Sequence, residues 1–167
     1  MKVQSAIAAL LAMVACDSPT SISRLDAAPS LNRSDAAPVH SVTGGGQLVG
    51  ADWTETYGFT ARVDGEGNVN GEVTMHLSDA PRLHGEVTCL AVDGSFAWIG
   101  GVVTASEDKT VIPLGTPFWF RVQDNGQGPD APDRISTIRL GAAASICAEK
   151  RPVAVPWLLE RGNIVVR

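Results

Sequence analysis

The sequence predicts an all-β domain, a single antiparallel meander of about eight strands that forms a small barrel-like fold in preference to a β-sandwich. Three observations lead there. From residue 47 onward apolar and polar residues alternate with a period of two, the mark of strands with one face in a core. Gly, Asn, Asp or Pro interrupt the alternation at intervals of about eight to twelve residues, which is the spacing of turns. No stretch keeps helical spacing for three turns. Consecutive hairpins imply that strands adjacent in sequence pair in space, and closing the meander removes exposed edges, which favours the barrel.

Each element has its own justification. Residues 53–63 (WTETYGFTARV) set Trp53, Glu55, Tyr57, Phe59, Ala61 and Val63 on one face, with mostly Thr and Arg on the other. Asp64-Gly65-Glu66-Gly67-Asn68 reverses the chain, because its glycines accept the positive φ of a tight turn. Residues 69–77 return with Val73, Met75 and Leu77 on one face and Glu72, Thr74 and His76 on the other. After the break at Asp79-Ala80-Pro81, residues 83–92 place Leu83, Gly85, Val87, Cys89 and Ala91 on a shared face. Asp93-Gly94 is the strongest hairpin signal in the chain. Residues 95–104 follow, with Phe96, Trp98 and Gly100 on one face and a glycine pair that allows a bend or bulge. A polar loop at 106–110 leads to residues 117–122, where Phe118, Phe120 and Val122 point inward and Trp119 and Arg121 outward. Residues 124–133 make a long turn, 134–140 a strand, 142–149 a short helical turn or loop carrying Cys147, and 162–167 the last strand. The run Gly44-Gly45-Gly46 precedes no helix and so carries no phosphate-binding implication.

Ahead of the domain stands MKVQSAIAALLAMVAC, with one basic residue at Lys2 and an uncharged apolar run over residues 6–15. A charged start, a short apolar core and small residues before the cut mark a secretory signal, since a membrane span needs about twenty apolar residues. The closing residues Met13-Val14-Ala15-Cys16 resemble the lipobox of bacterial lipoproteins, with Met13 where Leu is usual. The resemblance implies that residues 1–15 are removed as a signal peptide and that Cys16 carries a diacylglyceryl group, which anchors the chain to a membrane of the bacterial cell envelope. An ordinary cut near Ala15 would leave the protein secreted instead. Residues 16–40, rich in Ser, Pro, Ala and Asp, cannot bury enough apolar surface to fold and read as a disordered tether. Residues 41–167 are then the antiparallel β-domain, close to the modal size of one domain.

A net charge of −5 without any Lys or Arg cluster argues against nucleic acid as a partner, which needs a basic stripe. With Cys16 assigned to lipid, Cys89 and Cys147 remain in a chain bound for an oxidising compartment, and a disulfide is their natural pairing. Such a bridge stabilises by roughly 3–4 kcal/mol on the chain-entropy model. Two buried free thiols are the alternative.

The blocks YGFTARVDGEGNVNGEV, HGEVTCLAVDG with IGGVV, FRVQDNGQGPDAPDRIS and GNIVV together resemble a group of secreted or lipid-anchored bacterial β-domains of uncharacterised function. The resemblance spans nearly all of residues 41–167. It implies a fold and carries no activity.

Candidate chemistry is sparse. Asp124, Asn125, Asp130 and Asp133 gather carboxylates and an amide in one loop, the kind of oxygens calcium takes as a cofactor. The same residues are what a long turn needs, and EF-hand spacing is absent. His76 and His84 flank the turn at Asp79-Ala80-Pro81 and could face each other near Glu72 and Glu86 as an acid–base pair or weak metal site; solvated strand positions are the plainer reading. Trp53, Trp98 and Trp157 belong by default to a core, whereas outward Trp119 beside Arg121 could stack on a sugar or anchor a protein, unless the C-terminal segment containing Trp157 covers it. No catalytic residue is assigned. The expectation is a lipid-anchored or secreted envelope module that binds an unknown protein, glycan or small-molecule ligand or serves structurally. One rival is a hydrolase or metal-assisted enzyme using His76, His84 and the acidic loop. The other is a small-molecule carrier, testable by whether Phe59, Met75, Phe96 and Phe120 fill the barrel.

Overall fold

The computed structural model describes residues 39–128 and 130–167. The leader expected over residues 1–15, the acceptor Cys16 and the tether as far as residue 38 lie outside the described residues. In chain order the elements are β1 (His40–Val49), β2 (Thr54–Val63), β3 (Val69–Leu77), β4 (Leu83–Asp93), β5 (Phe96–Ser106), β6 (Pro117–Gln123), β7 (Arg134–Ile135), β8 (Arg139–Leu140), α1 (Ala143–Glu149), β9 (Trp157–Leu158) and β10 (Arg161–Val166).

The strands form one antiparallel sheet in the order β10-β1-β2-β3-β4-β5-β6-β7-β9, with β8 pairing to β6. From β1 to β7 each strand lies beside its successor, so the meander reading and the all-β class hold. The sheet curls into a half-barrel around one hydrophobic cluster, and there is no second layer of the kind a sandwich needs. Its ends are brought together by the chain itself. β9 pairs with β7 at one end of the strand order and β10 with β1 at the other, yet only Leu159 and Glu160 separate β9 from β10.

The interior is set by period-two alternation. On β2 the inward residues Tyr57, Phe59 and Ala61 are buried, on β3 Val73 and Met75, and on β6 Phe118, Phe120 and Val122. Phe59 and Phe120 meet edge-on with ring centres 5.2 Å apart. Each such ring contributes about 1.5–3 kcal/mol by leaving water.

Three features depart from the sequence expectation. First, alternation read from residue 47 misses most of β1, whose centre is Gly44-Gly45-Gly46. Gly44 lies opposite Phe59, and a Cβ on it would stand 2.5 Å from that ring. The glycine is bare because an aromatic ring from the next strand occupies the place of its side chain.

Second, the β4–β5 ladder slips between Val87 and Cys89, so Thr88 is an extra residue and the faces exchange. The irregularity expected of the glycine pair is present, but the additional residue falls on the partner strand, opposite Gly100 and Gly101. Consequently Cys89 and Ala91 do not share the inward face of Leu83 and Val87. They turn outward, and Leu90 and Val92 take the inner positions.

Third, the strand expected over residues 134–140 is two short ones. Between them Ser136, 2% exposed, receives the Arg121 N–H on its hydroxyl oxygen at 2.9 Å and donates its own N–H to Arg121 O at 2.9 Å. A hydroxyl thus replaces one rung of the ladder and kinks the segment.

Candidate functional site

The outer face of β4, β5 and β6 carries a second apolar cluster, formed by Trp98, Trp119, Ala143, Ile146 and Cys147 with Cys89, Ala91, Phe96 and Val153 packed against it. The helix α1 lies over this face. Its approach is possible because Gly100 has no side chain: a Cβ there would stand 2.7 Å from both Ala143 Cβ and Cys89 Sγ. The Cys89 and Cys147 sulfurs stand at bonding distance, 2.09 Å, with Cα atoms 6.1 Å apart, so the pairing expected from the sequence ties the helix to β4.

Trp119 and Arg121 point outward as alternation requires, but neither offers an open platform. Trp119 is 8% exposed beneath its cover, with the Arg139 guanidinium 5.6 Å from its ring centre. The cover is α1 and the segment after it. Trp157, the expected cover, instead meets Trp53 edge-on with ring centres 5.0 Å apart. The Arg121 guanidinium lies 3.9 Å from the Phe96 ring centre and 4.6 Å from that of Trp98, a stacked arrangement that guanidinium planes favour. Burial lowers its pKa from the ordinary value, with Asp93 opposing.

Beyond α1, Lys150 adopts the left-handed conformation (φ 45°) and turns the chain onto this face. Trp98 Nε1–H then donates to Arg151 O at 2.8 Å, and Arg121 Nη1–H to Val153 O at 2.6 Å. Among the described residues the Arg121 Nε has no hydrogen-bond partner although it is sealed from solvent.

The acidic loop performs a different task. Asp133, 4% exposed, accepts the Ile164 N–H on one oxygen at 2.6 Å and the Asn125 N–H on the other at 2.8 Å. Asp124 accepts the Val166 N–H at 2.9 Å and the Gly126 N–H at 2.8 Å. Ile164 and Val166 lie on β10, whose other side pairs with β1, so the two carboxylates occupy donors of its unpaired edge. Asn125 donates its amide to Pro132 O at 2.8 Å, and Asp130 is exposed. The oxygens offered to calcium in the sequence expectation are here acceptors for main-chain N–H groups. Among the described residues no group of three or more His, Cys, Asp or Glu side chains gathers to hold a metal.

His84 faces Thr74 across β3 and β4, with Nδ1 and Oγ1 sharing a hydrogen bond of 3.1 Å. The two histidines therefore do not face each other: His76 stands two positions further along β3 and is paired on its other side with Thr56. Glu72 and Glu86 are the residues brought directly opposite. Together with His84 and Thr104 they line an open groove of about 280 Å³ on the outer sheet face. The acidic loop, bound to β10, shares no hydrogen bond with this groove.

One polar pair was given no role by sequence reasoning. Glu55 and Tyr57 both face the interior and are 5% and 3% exposed. Burial raises the Glu55 pKa, and the neighbouring hydroxyl works against that rise. Burial likewise raises Tyr57, and the adjacent carboxylate adds to it. The Tyr57 hydroxyl stands beside Glu55 without completing a well-formed hydrogen bond. The signal was available: Glu55 is the one charged residue in the inward register of WTETYGFTARV. Comparison of the chain with protein-family models, with curated proteins and with solved structures found no match.

Proposed function

We propose that this chain is an exported, lipid-anchored β-module displayed on a tether at the bacterial cell envelope, acting by binding a partner and not by catalysis. The observation that supports it best is the Cys89–Cys147 pair at bonding distance over the outer face. A bridge of that kind persists in oxidising compartments, which is where a leader like residues 1–15 directs a chain. The absence of a catalytic role is supported by how the polar groups are spent: His84 on Thr74, and Asp124 and Asp133 on main-chain N–H groups. The carrier alternative is less well supported, because Phe59, Met75 and Phe120 belong to the packed interior, while Phe96 lies in the outer cluster.

Expression of the full chain in a bacterium, with membrane fractionation and mass spectrometry of the amino-terminal peptide, tests the reading. Loss of residues 1–15 and a diacylglyceryl mass on Cys16, abolished by Cys16→Ser, is the expected result. A retained leader, or a free thiol at Cys16 in a soluble fraction, would overturn it.

A further inference from the structure

We propose that the outer aromatic face of β5 and β6 is a receptor for an extended, proline-containing peptide, occupied in this chain by its own residues 150–156. The inference rests on the reading of the chain as a binding module and gives that module a site and a class of partner.

The donors that define the site are on two side chains. Trp98 Nε1–H and Arg121 Nη1–H reach the carbonyls of Arg151 and Val153, two residues apart in the chain. Pro152, between them, has no N–H that would need an acceptor. Residues 151–156 belong to no strand or helix, and Arg151, Pro152, Ala154 and Pro156 are exposed, so the sheet face holds the segment rather than the reverse. Aromatic rings with a side-chain donor that grip alternate carbonyls of an extended proline-containing chain read backbone shape more than side-chain identity. A peptide from another molecule with the same features meets the same donors. Arg121 Nε, sealed and without a partner among the described residues, offers a further hydrogen bond that the resident segment leaves unmade.

The cover is fixed at one covalent point. α1 rests on the face through Ala143, Ile146 and Cys147, and Cys147 is bound to Cys89 immediately before the segment begins. The bridge therefore acts as a latch that keeps residues 150–156 at high local concentration over Trp98 and Arg121.

The test uses the full chain carrying Cys16→Ser, so that no lipid is attached, with the bridge intact and with Cys89→Ser and Cys147→Ser together. The probe is the synthetic peptide of residues 149–156, EKRPVAVP, titrated by calorimetry against a scrambled control. The unlatched form is expected to bind one peptide at least about tenfold more tightly than the bridged form, and Trp98→Phe in the unlatched form to weaken binding about fivefold. A folded unlatched form that binds no better than the bridged one, or that ignores Trp98→Phe, overturns the proposal. Should the double variant not fold, Val153→Gly in the bridged protein decides the matter: faster exchange of the Trp98 indole N–H together with peptide binding supports the site, and neither change overturns it. Acylation of Cys16 is read separately on the unaltered chain. A failed peptide site would leave the envelope reading standing, and an unmodified Cys16 would leave the peptide site standing.

Discussion

The inner and outer faces of β5 and β6 are made by the same strands, one residue apart, and they are held in different ways. Inside, Ile99, Val103, Phe118, Phe120 and Val122 are closed over by the curl of the sheet, and every neighbour is another strand. Outside, Phe96, Trp98, Trp119 and Arg121 are covered by a seven-residue helix and an irregular segment, secured by a sulfur bridge and two side-chain hydrogen bonds. The inner face is buried by topology and cannot open without unfolding the sheet. The outer face is buried by an attachment, and attachments can be released singly. What alternation specifies is that both faces of these strands carry large side chains; the cover is specified elsewhere in the chain, at Gly100, Cys89 and residues 143–153.

Four experiments sharpen or break this contrast. The largest effect is expected from Phe120→Ala, which opens a cavity in the inner cluster and should cost about 3–5 kcal/mol in denaturant unfolding, a large share of a domain's total stability. Next comes loss of the bridge. Cys89→Ser with Cys147→Ser should cost about 3–4 kcal/mol, yet leave the strand signal in far-UV circular dichroism unchanged, because it frees only the cover. Equal spectral losses in these two variants would show that the faces are not independent.

Asp133→Asn should be milder, about 1.5–3 kcal/mol, since it weakens the acceptors for Ile164 and Asn125 N–H without removing a strand. Faster hydrogen exchange at Ile164 and not at Phe120 is the expected signature.

The smallest effect has a sign set by pH. Burial raises the Glu55 pKa above its ordinary value of 4.5, so the stability linked to its neutral form is fully present below that pH and is lost as pH rises through the folded value. Glu55→Gln should therefore melt higher than the unaltered chain at neutral pH, with the difference shrinking to nothing below pH 4.5. A constant difference across that range would show that Glu55 does not titrate differently in the folded state.

Strands β2 to β6 could be read from the sequence because alternation and turn residues coincide there, as at Asp64-Gly65-Glu66-Gly67-Asn68, where Asp64 accepts the Glu66 and Asn68 N–H groups at 2.9 Å and Gly67 takes φ 86°. β1 could not, since its glycines erase the pattern and are explained only by the Phe59 ring lying over Gly44. Cys89 was assigned to the wrong face because one extra residue, Thr88, inverts everything after it, and periodicity carries no mark of a slip. The acidic residues drew attention for their chemistry, but their partners are N–H groups of a strand some thirty positions away, as with Asp133 and Ile164 at a separation of 31. The outer cover was half legible: the short helix with Cys147 was expected, whereas the grip of Trp98 and Arg121 on Arg151 and Val153 is a three-dimensional coincidence of side chain and backbone.

The pairing of β1 with β10 also governs how the molecule must come into being. β1 emerges first and its second neighbour last, so the meander has to wait as an open ribbon until synthesis reaches Arg161–Val166. Contacts between such remote parts of a chain make folding slow and leave an unsatisfied border exposed meanwhile. Assembly is therefore post-translational by construction, with the final strand acting as the piece that commits the ribbon to its curl.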